Sequence, residues 1–168
     1  MNPAVAPNPF PVCLGIDPGP EISAIVAYDG QRIVYAKQLP NEEMLKHLMV
    51  ERYNVDHLAI EMIASYGMAV GESTFMTCVW IGRFIQQFGA NQTRLIKRLE
   101  VKLHLCKDSR AKDGNVRQAL VDRFGEPGSK KHPGLTYGIS GHSWQALALC
   151  VTYFDLYVAY GALTPAAP

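Results

Sequence analysis

The sequence predicts an α/β domain built on a mixed sheet. Three short segments rich in Ile, Val and Tyr come first, at residues 12–17, 22–28 and 33–38, and an Asp29-Gly30 pair of the hairpin type joins the second to the third. Helix and strand patterns then alternate along the chain. A three-stranded antiparallel meander followed by such alternation is typical of a mixed sheet flanked by helices.

Helices and one buried strand are predicted directly after the meander. Residues 41–52 predict a helix, because an asparagine and two glutamates make a favourable N-terminus and apolar residues share a face. Residues 56–63 predict a buried strand, and residues 71–90 predict a second helix with a wide apolar stripe. Phe75 and Trp80 fit that stripe, and we interpret them as core or dimer contacts.

The remaining elements complete the alternation. Residues 93–106 predict one or two short strands. A third helix is predicted from its cap, at Asp108 or Ser109, to Gly125, which ends it. A long apolar helix, from about Ser140 to Tyr160, is predicted last.

Length and composition indicate one globular domain. The chain has 168 residues, 48% hydrophobic and 18% charged, which is ordinary for a domain with a single core. We expect this domain over residues 12–162, between a flexible leader (1–11) and a flexible tail (163–168). There is no signal-peptide pattern and no apolar run of about 18 residues, so no membrane partner is expected. The four cysteines have no zinc-ligand spacing and predict buried, reduced thiols of a cytosolic type.

Positive charge is concentrated in one part of the chain. Residues 92–131 contain 11 Lys or Arg and 5 Asp or Glu, whereas the rest contains 5 basic and 10 acidic residues. Such a split predicts a surface that faces a polyanion, beside an acidic cluster elsewhere. The alternative is a run of solvated surface charges.

Two acidic residues interrupt apolar strand patterns. Asp17 ends the first strand, within LGIDPG, and Glu61 lies in the strand predicted at 56–63. A carboxylate buried without a partner costs several kcal/mol or takes up a proton. A divalent cation such as Mg²⁺ or Mn²⁺, which prefers oxygen ligands, would relieve the repulsion between two converging acids. The alternative is that each acid pairs with a nearby Arg or Lys.

His142 is a third candidate, because it opens the last predicted helix. The positive end of a helix disfavours a charged imidazole ring, and a neutral ring can bind a metal or accept a proton. A capping or surface histidine is the alternative.

Three stretches together resemble the RuvC family of Holliday junction resolvases, and more closely its phage-encoded branch. They are LGIDPG on the first strand, AIEM on the fourth and H-x-x-x-A-L-A on the last helix, and the resemblance extends from about Cys13 to Tyr160. It implies an RNase H-like fold with a five-stranded sheet and a homodimer. It also implies metal-dependent cutting of two strands at a four-way DNA junction, in the cytoplasm of a bacterial host.

The resemblance also implies roles for individual residues. Asp17 matches the first-strand aspartate, Glu61 the fourth-strand glutamate, and His142 a helix position that is Asp or His in the family. Where the family has a further Asp one turn later, this sequence has Gln145, an uncharged but possible metal ligand. We therefore expect weaker metal binding, an attenuated site, or help from another acid such as Asp113.

The implied mechanism uses two Mg²⁺ or Mn²⁺ ions about 4 Å apart, which activate a water and stabilise the leaving 3′ oxygen. Asp17 would bridge both ions and Glu61 would hold one. His142 would hold the other or orient the water.

Contacts to DNA are expected mainly at the phosphate backbone, because a junction is recognised by shape. Four side chains of the basic stretch are expected to contact phosphates, the last three from the start of the third helix: Lys107, Arg110, Lys112 and Arg117. Tyr66, with Met68 second, is the candidate for the wedge that the family places near here and that stacks on opened bases. The alternatives are solvated charges and a loop tyrosine packed on its neighbours.

Three other functions remain open at this point. Gln145 favours a junction-binding module with weak or no cleavage. An RNase H-like nuclease that cuts RNA–DNA hybrids would share the same fold. A sugar-kinase or actin-type ATPase can also begin with a GID-G strand, but 168 residues are too few for its two domains.

Overall fold

The computed structural model describes residues 11–65 and 67–159 and confirms the predicted α/β architecture. Its strands are β1 (Cys13–Asp17), β2 (Ile22–Tyr28), β3 (Ile33–Pro40), β4 (His57–Met62) and β5 (Thr93–Lys97). Its α-helices are α1 (Asn41–Glu51), α2 (Glu72–Phe88), α3 (Arg98–Cys106), α4 (Asp113–Phe124) and α5 (Ser143–Tyr153). A short 3-10 turn, Ala90–Gln92, precedes β5, and a π-helical stretch, Phe154–Ala159, continues α5. The predicted leader, apart from Pro11, and the predicted tail lie outside the described residues.

The five strands form one mixed sheet in the order β3-β2-β1-β4-β5. The pairs β1–β2 and β2–β3 are antiparallel, whereas β1–β4 and β4–β5 are parallel. The antiparallel meander at the start of the chain is therefore confirmed. Because β1 and β4 are parallel neighbours, their carboxyl ends, at Asp17 and Glu61, meet at one edge of the sheet.

Each face of the sheet carries its own core. On one face α5 packs against residues such as Val26 and Ala59, and on the other Ile16 and Ile60 pack with α1 and α2. Side chains alternate between the faces along a strand. Asp17 lies two residues after Gly15 and Glu61 two residues after Ala59, so both acids lie on the face that α5 covers.

Gly15 allows α5 to lie very close to β1. A Cβ atom at this position would be 2.2 Å from the carbonyl oxygen of Ala146 and 2.6 Å from Sγ of Cys150. No side chain fits in that space, so the helix rests directly on the strand backbone. This close approach places the start of α5, with His142, beside the end of β1.

Residues 98–106 form helix α3, so the strand expected in the second part of 93–106 is wrong. The alternating apolar pattern also fits a helix, because Val101 and Leu105 are four residues apart and share its inner face. Val101 is buried and Leu105 packs against the α5-side core, whereas Leu99 and Leu103 are exposed. Only β5 continues the sheet.

The third predicted helix begins later than expected. It starts as α4 at Asp113, and the chain before it is held by a turn in which Oδ1 of Asp108 accepts the backbone N–H of Arg110 at 2.9 Å. A local bond of this kind competes with helix formation. Arg110 and Lys112 therefore precede the helix instead of opening it, whereas Gly125 ends it as predicted.

Several smaller expectations are corrected. Cys13 and Cys150 are buried as predicted, but Cys78 is exposed and Cys106 is half-buried. Phe75 is 60% exposed on the outer side of α2, so it is not a core residue and its dimer contact stays a prediction, whereas Trp80 is half-buried against the core on that face. Within the described residues no helix is both long enough and apolar enough to cross a membrane.

Candidate active site

One cavity collects the residues that the sequence predicts to be catalytic. It has a volume of about 330 Å³ and lies where β1, β4 and the start of α5 meet, lined by Asp17, Glu61, Arg98, Asp113, Gly141, His142 and Gln145. The four predicted catalytic and metal-binding positions are therefore together in one place. Arg98 and Asp113 join them from the starts of α3 and α4.

The turn after Asp17 is held by a small buried network. The backbone N–H of Gly19 donates to Oγ of Ser23 at 3.2 Å, and this hydroxyl donates to Oδ1 of Asn41 at 2.6 Å. Nδ2 of Asn41 donates back to the carbonyl of Gly19 at 2.9 Å. Ser23 and Asn41 are buried, so the network fixes the turn and keeps the Asp17 carboxylate at the cavity.

Asp17 is paired with His142. Its Oδ2 lies 2.8 Å from Nδ1 of His142, and the aspartate side chain is only 13% exposed whereas the histidine side chain is 77% exposed. Burial raises the pKa of Asp17, and the hydrogen bond from His142 opposes that rise without cancelling it. His142 makes no side-chain capping bond to α5, so its position serves the carboxylate instead of the helix end.

Glu61 is paired with Arg98. Nη1 of Arg98 donates to Oε2 of Glu61 at 2.9 Å, and Nη2 of the same guanidinium donates to Oδ1 of Asp113 at 2.5 Å. Burial raises the pKa of Glu61, since Arg98 offsets only part of the desolvation and Asp17 adds repulsion. The pairing of an acid with a nearby arginine, considered above as an alternative, is thus present at Glu61.

Gln145 presents an unsatisfied acceptor. It lies one helical turn after His142, and among the described residues its Oε1 atom is buried without a hydrogen-bond partner. A buried polar atom without a partner is costly, and a cation would satisfy it. Carboxylate and amide oxygens with one imidazole nitrogen are a donor set that Mg²⁺ or Mn²⁺ accepts, so these residues fit a divalent cation.

The acids of the cavity are paired with other protein side chains. Among the described residues, no three His, Cys, Asp or Glu side chains are placed to hold a metal ion together. Asp17 and Glu61 are engaged by His142 and Arg98 instead. A cation would therefore have to replace at least one of these contacts.

Arg98 is not predicted as a site residue, because the sequence places it only among the basic residues of 92–131 and nothing local links it to Glu61. The register of the sheet shows how Arg98 could be recognised as a site residue. Glu61 pairs with Ile96 across the parallel strands β4 and β5, and Arg98 follows two residues later, on the side of Glu61. A basic residue just beyond the end of a strand that neighbours an acidic strand end is a candidate partner for that acid.

The predicted DNA-contacting side chains belong to the segment that leads into and along α4, whose first residue, Asp113, lines the cavity. Lys107, Arg110, Lys112 and Arg117 are all exposed. Lys112 directly precedes Asp113, and the guanidinium of Arg117 lies 5.0 Å from the ring centre of Trp144 on α5. Met68 is 71% exposed, and Tyr66 lies outside the described residues.

Comparison with known proteins identifies the fold. No protein-family model matches the sequence, and no curated protein matches it. A structure of Thermus thermophilus RuvC is 18% identical with a TM-score of 0.65, over 89% of this chain and 96% of that one. The structure of T. thermophilus RuvC in complex with a Holliday junction substrate is 17% identical with a TM-score of 0.66, over 90% and 96%. The chain therefore has the fold of RuvC, as the sequence predicts.

Proposed function

We propose that the protein is a metal-dependent endonuclease of the RuvC type that cuts four-way or otherwise branched DNA. The observation that carries the proposal is the meeting of Asp17, Glu61, His142 and Gln145 in one cavity at the carboxyl ends of β1 and β4. The shared fold supports it, because a protein of this fold has been captured on a Holliday junction. The phage-encoded branch stays a prediction from the resemblance.

The residues of the cavity divide the work of phosphodiester hydrolysis. Asp17 and Glu61 would bind the cation through their carboxylates, and Gln145 would add its unpaired amide oxygen. Bound Mg²⁺ or Mn²⁺ supplies a Lewis acid that activates water and stabilises the leaving oxygen. His142 bonds Asp17 through Nδ1, so it would hold that carboxylate in place at the cavity.

The four exposed basic side chains of this segment would hold the phosphate backbone. Lys107, Arg110, Lys112 and Arg117 lie on the segment that leads into and along α4, which also delivers Asp113 to the cavity. Contacts of this kind give affinity without sequence specificity and weaken as salt is added. Met68 and Tyr66 stay the candidates for stacking on opened bases.

A homodimer would place two such sites on one junction, because two symmetric nicks require two active sites. The exposed side of α2 is the candidate interface. Phe75 and Val79 lie one turn apart on it and are 60% and 53% exposed, with Met76 beside them at 42%. We expect sedimentation analysis to show a dimer, and Phe75→Glu to shift it toward monomer.

A junction-binding protein without cleavage is the second candidate, and two features favour it. Gln145 brings no charge to the position where the family has an acid, and Arg98 already neutralises Glu61. Both features reduce the net negative charge that attracts a divalent cation.

The experiment that separates these functions uses purified protein and a labelled synthetic four-way junction. Duplex DNA and an RNA–DNA hybrid serve as parallel substrates, each with Mg²⁺, Mn²⁺ or chelator. The proposal expects paired nicks on the junction alone, lost with chelator and in the Asp17→Asn variant. Asp122→Asn is the matched control, because Asp122 is an exposed carboxylate of α4 that does not line this cavity.

Each other outcome points to a specific alternative. A junction that is retarded but uncut with every metal would favour the binding protein. Preferential cutting of the hybrid would favour a nuclease of the RNase H type. Cutting that persists in Asp17→Asn would remove Asp17 from the reaction.

A further inference from the structure

The guanidinium of Arg98 is a positive charge at the cavity. It is the first residue of α3, and its guanidinium lies between Glu61, at 2.9 Å, and Asp113, at 2.5 Å. Only 22% of the side chain is exposed. Charges that are partly removed from water interact more strongly than a surface pair does. Arg98 therefore compensates the acids of the cavity without any bound metal.

The contact with Glu61 engages a carboxylate that a metal would need. The guanidinium of Arg98 stays charged, because arginine is not deprotonated in proteins, and it donates directly to Glu61. A divalent cation that enters the same cavity meets this charge at close range, and like charges repel. Binding of the cation to Glu61 and retention of the contact with Arg98 oppose one another.

Asp113 is a second acceptor for the guanidinium of Arg98. Arg98 uses Nη1 for Glu61 and Nη2 for Asp113, so one bond can break while the other remains. The Asp113 side chain is 65% exposed and belongs to the first turn of α4. An exposed carboxylate has room to follow a guanidinium that withdraws from the cavity.

We propose that Arg98 is a resident counter-ion of the site, which a divalent cation must displace from Glu61 in order to bind. Arg98 then sets the metal affinity of the site, and Asp113 retains the guanidinium after it leaves Glu61. This proposal rests on the metal-dependent function proposed above and extends it to the regulation of that site.

The test is a calorimetric titration of the full-length chain with Mn²⁺ and with Mg²⁺. Arg98→Gln is expected to bind Mn²⁺ at least about ten-fold more tightly than the wild type, which corresponds to about 1.4 kcal/mol. Arg83→Gln is the matched control, because Arg83 also bonds a carboxylate, that of Glu42, but outside the cavity. The affinity of Arg83→Gln for Mn²⁺ is expected to stay within about two-fold of that of the wild type, since no charge near the cavity changes. Saturating Mn²⁺ should also raise the melting temperature of Arg98→Gln more than that of the wild type.

A measurement on the unmutated protein follows the guanidinium itself. In a Mg²⁺ titration followed by NMR, the side-chain Nε–H signal of Arg98, assigned from its loss in Arg98→Lys, should shift with the midpoint found by calorimetry. An unchanged signal at saturating metal would show that the guanidinium does not move, and would overturn the proposal.

The outcomes separate this proposal from the proposed function. Wild-type protein that binds metal and cuts junctions, together with Arg98→Gln that binds no more tightly, would leave the function standing and reject Arg98 as a competitor. Metal binding by Arg98→Gln alone would support the proposal in its strongest form. Failure of both proteins to bind metal would reject the metal-dependent function and this inference together.

Discussion

Two clusters of charged side chains lie near the two ends of α5, and they are built differently. At the start of the helix, Asp17 shares one hydrogen bond with an exposed His142. Beyond its other end, Asp155 accepts two bonds from Arg123, at 2.5 and 2.9 Å, and lies 2.8 Å from Nε2 of His104. The two carboxylates are similarly buried, with side chains 13% and 19% exposed.

The pKa values of the two carboxylates shift in opposite directions, although both side chains have little exposure. Burial would raise the pKa of both, but at Asp155 the bonds from Arg123 and His104 outweigh it and lower the pKa. At Asp17 the single bond from His142 does not outweigh burial, and the pKa is raised. A cluster that satisfies its own acid stabilises the fold, whereas one that leaves its acid under-compensated is suited to bind a cation.

The largest expected difference between the clusters is in catalysis. Asp17→Asn is expected to reduce junction cleavage by about three orders of magnitude or more, because it removes charge from the proposed cation site. Asp155→Asn is expected to cut at close to the wild-type rate at temperatures where it is folded. Cleavage of a labelled junction by both variants measures this difference, and binding measured by gel retardation should be retained in both. Loss of cutting in Asp155→Asn, with folded protein, would contradict the assignment of its cluster to stability.

The next largest effect is on stability. Asp155→Asn is expected to lower the free energy of unfolding at pH 7 by about 1–3 kcal/mol, because Arg123 and His104 lose a charged acceptor while partly buried. Urea unfolding in the presence of chelator measures this change. Asp122→Asn, which removes an exposed carboxylate of α4, should stay within about 0.5 kcal/mol of the wild type. An equal loss of unfolding free energy in Asp155→Asn and Asp122→Asn would mean that the cluster around Asp155 contributes no more to stability than an exposed surface charge does.

Much of the fold could be predicted because its signals are local. The meander depends on a hairpin pair between two β-branched segments, and Gly125 ends its helix as expected. The strand expected in the second part of 93–106 is wrong, because apolar residues at every second position fit a strand and a one-sided helix equally well. Burial of Val101 and Leu105 against α5 decides the matter, and that contact is not visible in the sequence.

The acidic residues of the candidate site could be predicted from the sequence, whereas the side chains that pair with them could not. Asp17 and Glu61 stand out because a charge in an apolar strand pattern needs a compensating group. Which group supplies it depends on contacts between distant segments, as between Glu61 and Arg98, 37 residues apart. His142 was predicted beside Asp17 through the resemblance alone. Its distance from Asp17 is set by the close approach of α5 to Gly15, which composition and periodicity do not reveal.

A smaller effect is expected from adding an acid to the under-compensated cluster. Gln145→Asp should tighten Mn²⁺ binding by about ten-fold, or about 1.4 kcal/mol, because it adds a negative charge where the amide oxygen is unpaired. Calorimetric titration measures this affinity. Gln86→Asp, the same change at an exposed position of α2, is the control and should leave the affinity unchanged. An unchanged affinity in Gln145→Asp would show that position 145 does not face the cation.

The smallest effect, and the one that compares the clusters most directly, is the dependence of stability on pH. A raised pKa means that Asp17 binds its proton more tightly in the folded state, so ionisation destabilises the fold as pH rises through that pKa. A lowered pKa at Asp155 means the reverse: its contribution is present above the unfolded value of about 3.9 and is lost as pH falls through the folded pKa.

Two substitutions of the same kind should therefore diverge as pH rises from 3 to 7. In the presence of chelator, Asp17→Asn should become more stable than the wild type, by about 1 kcal/mol at neutral pH, because it removes a buried charge that its partner compensates only in part. The deficit of Asp155→Asn should grow over the same range. Near pH 3, where both carboxyls are largely protonated in the unfolded chain, the differences should shrink. Parallel curves for the two variants would mean that Asp17 is as well compensated as Asp155, and its place in a cation site would lose its electrostatic basis.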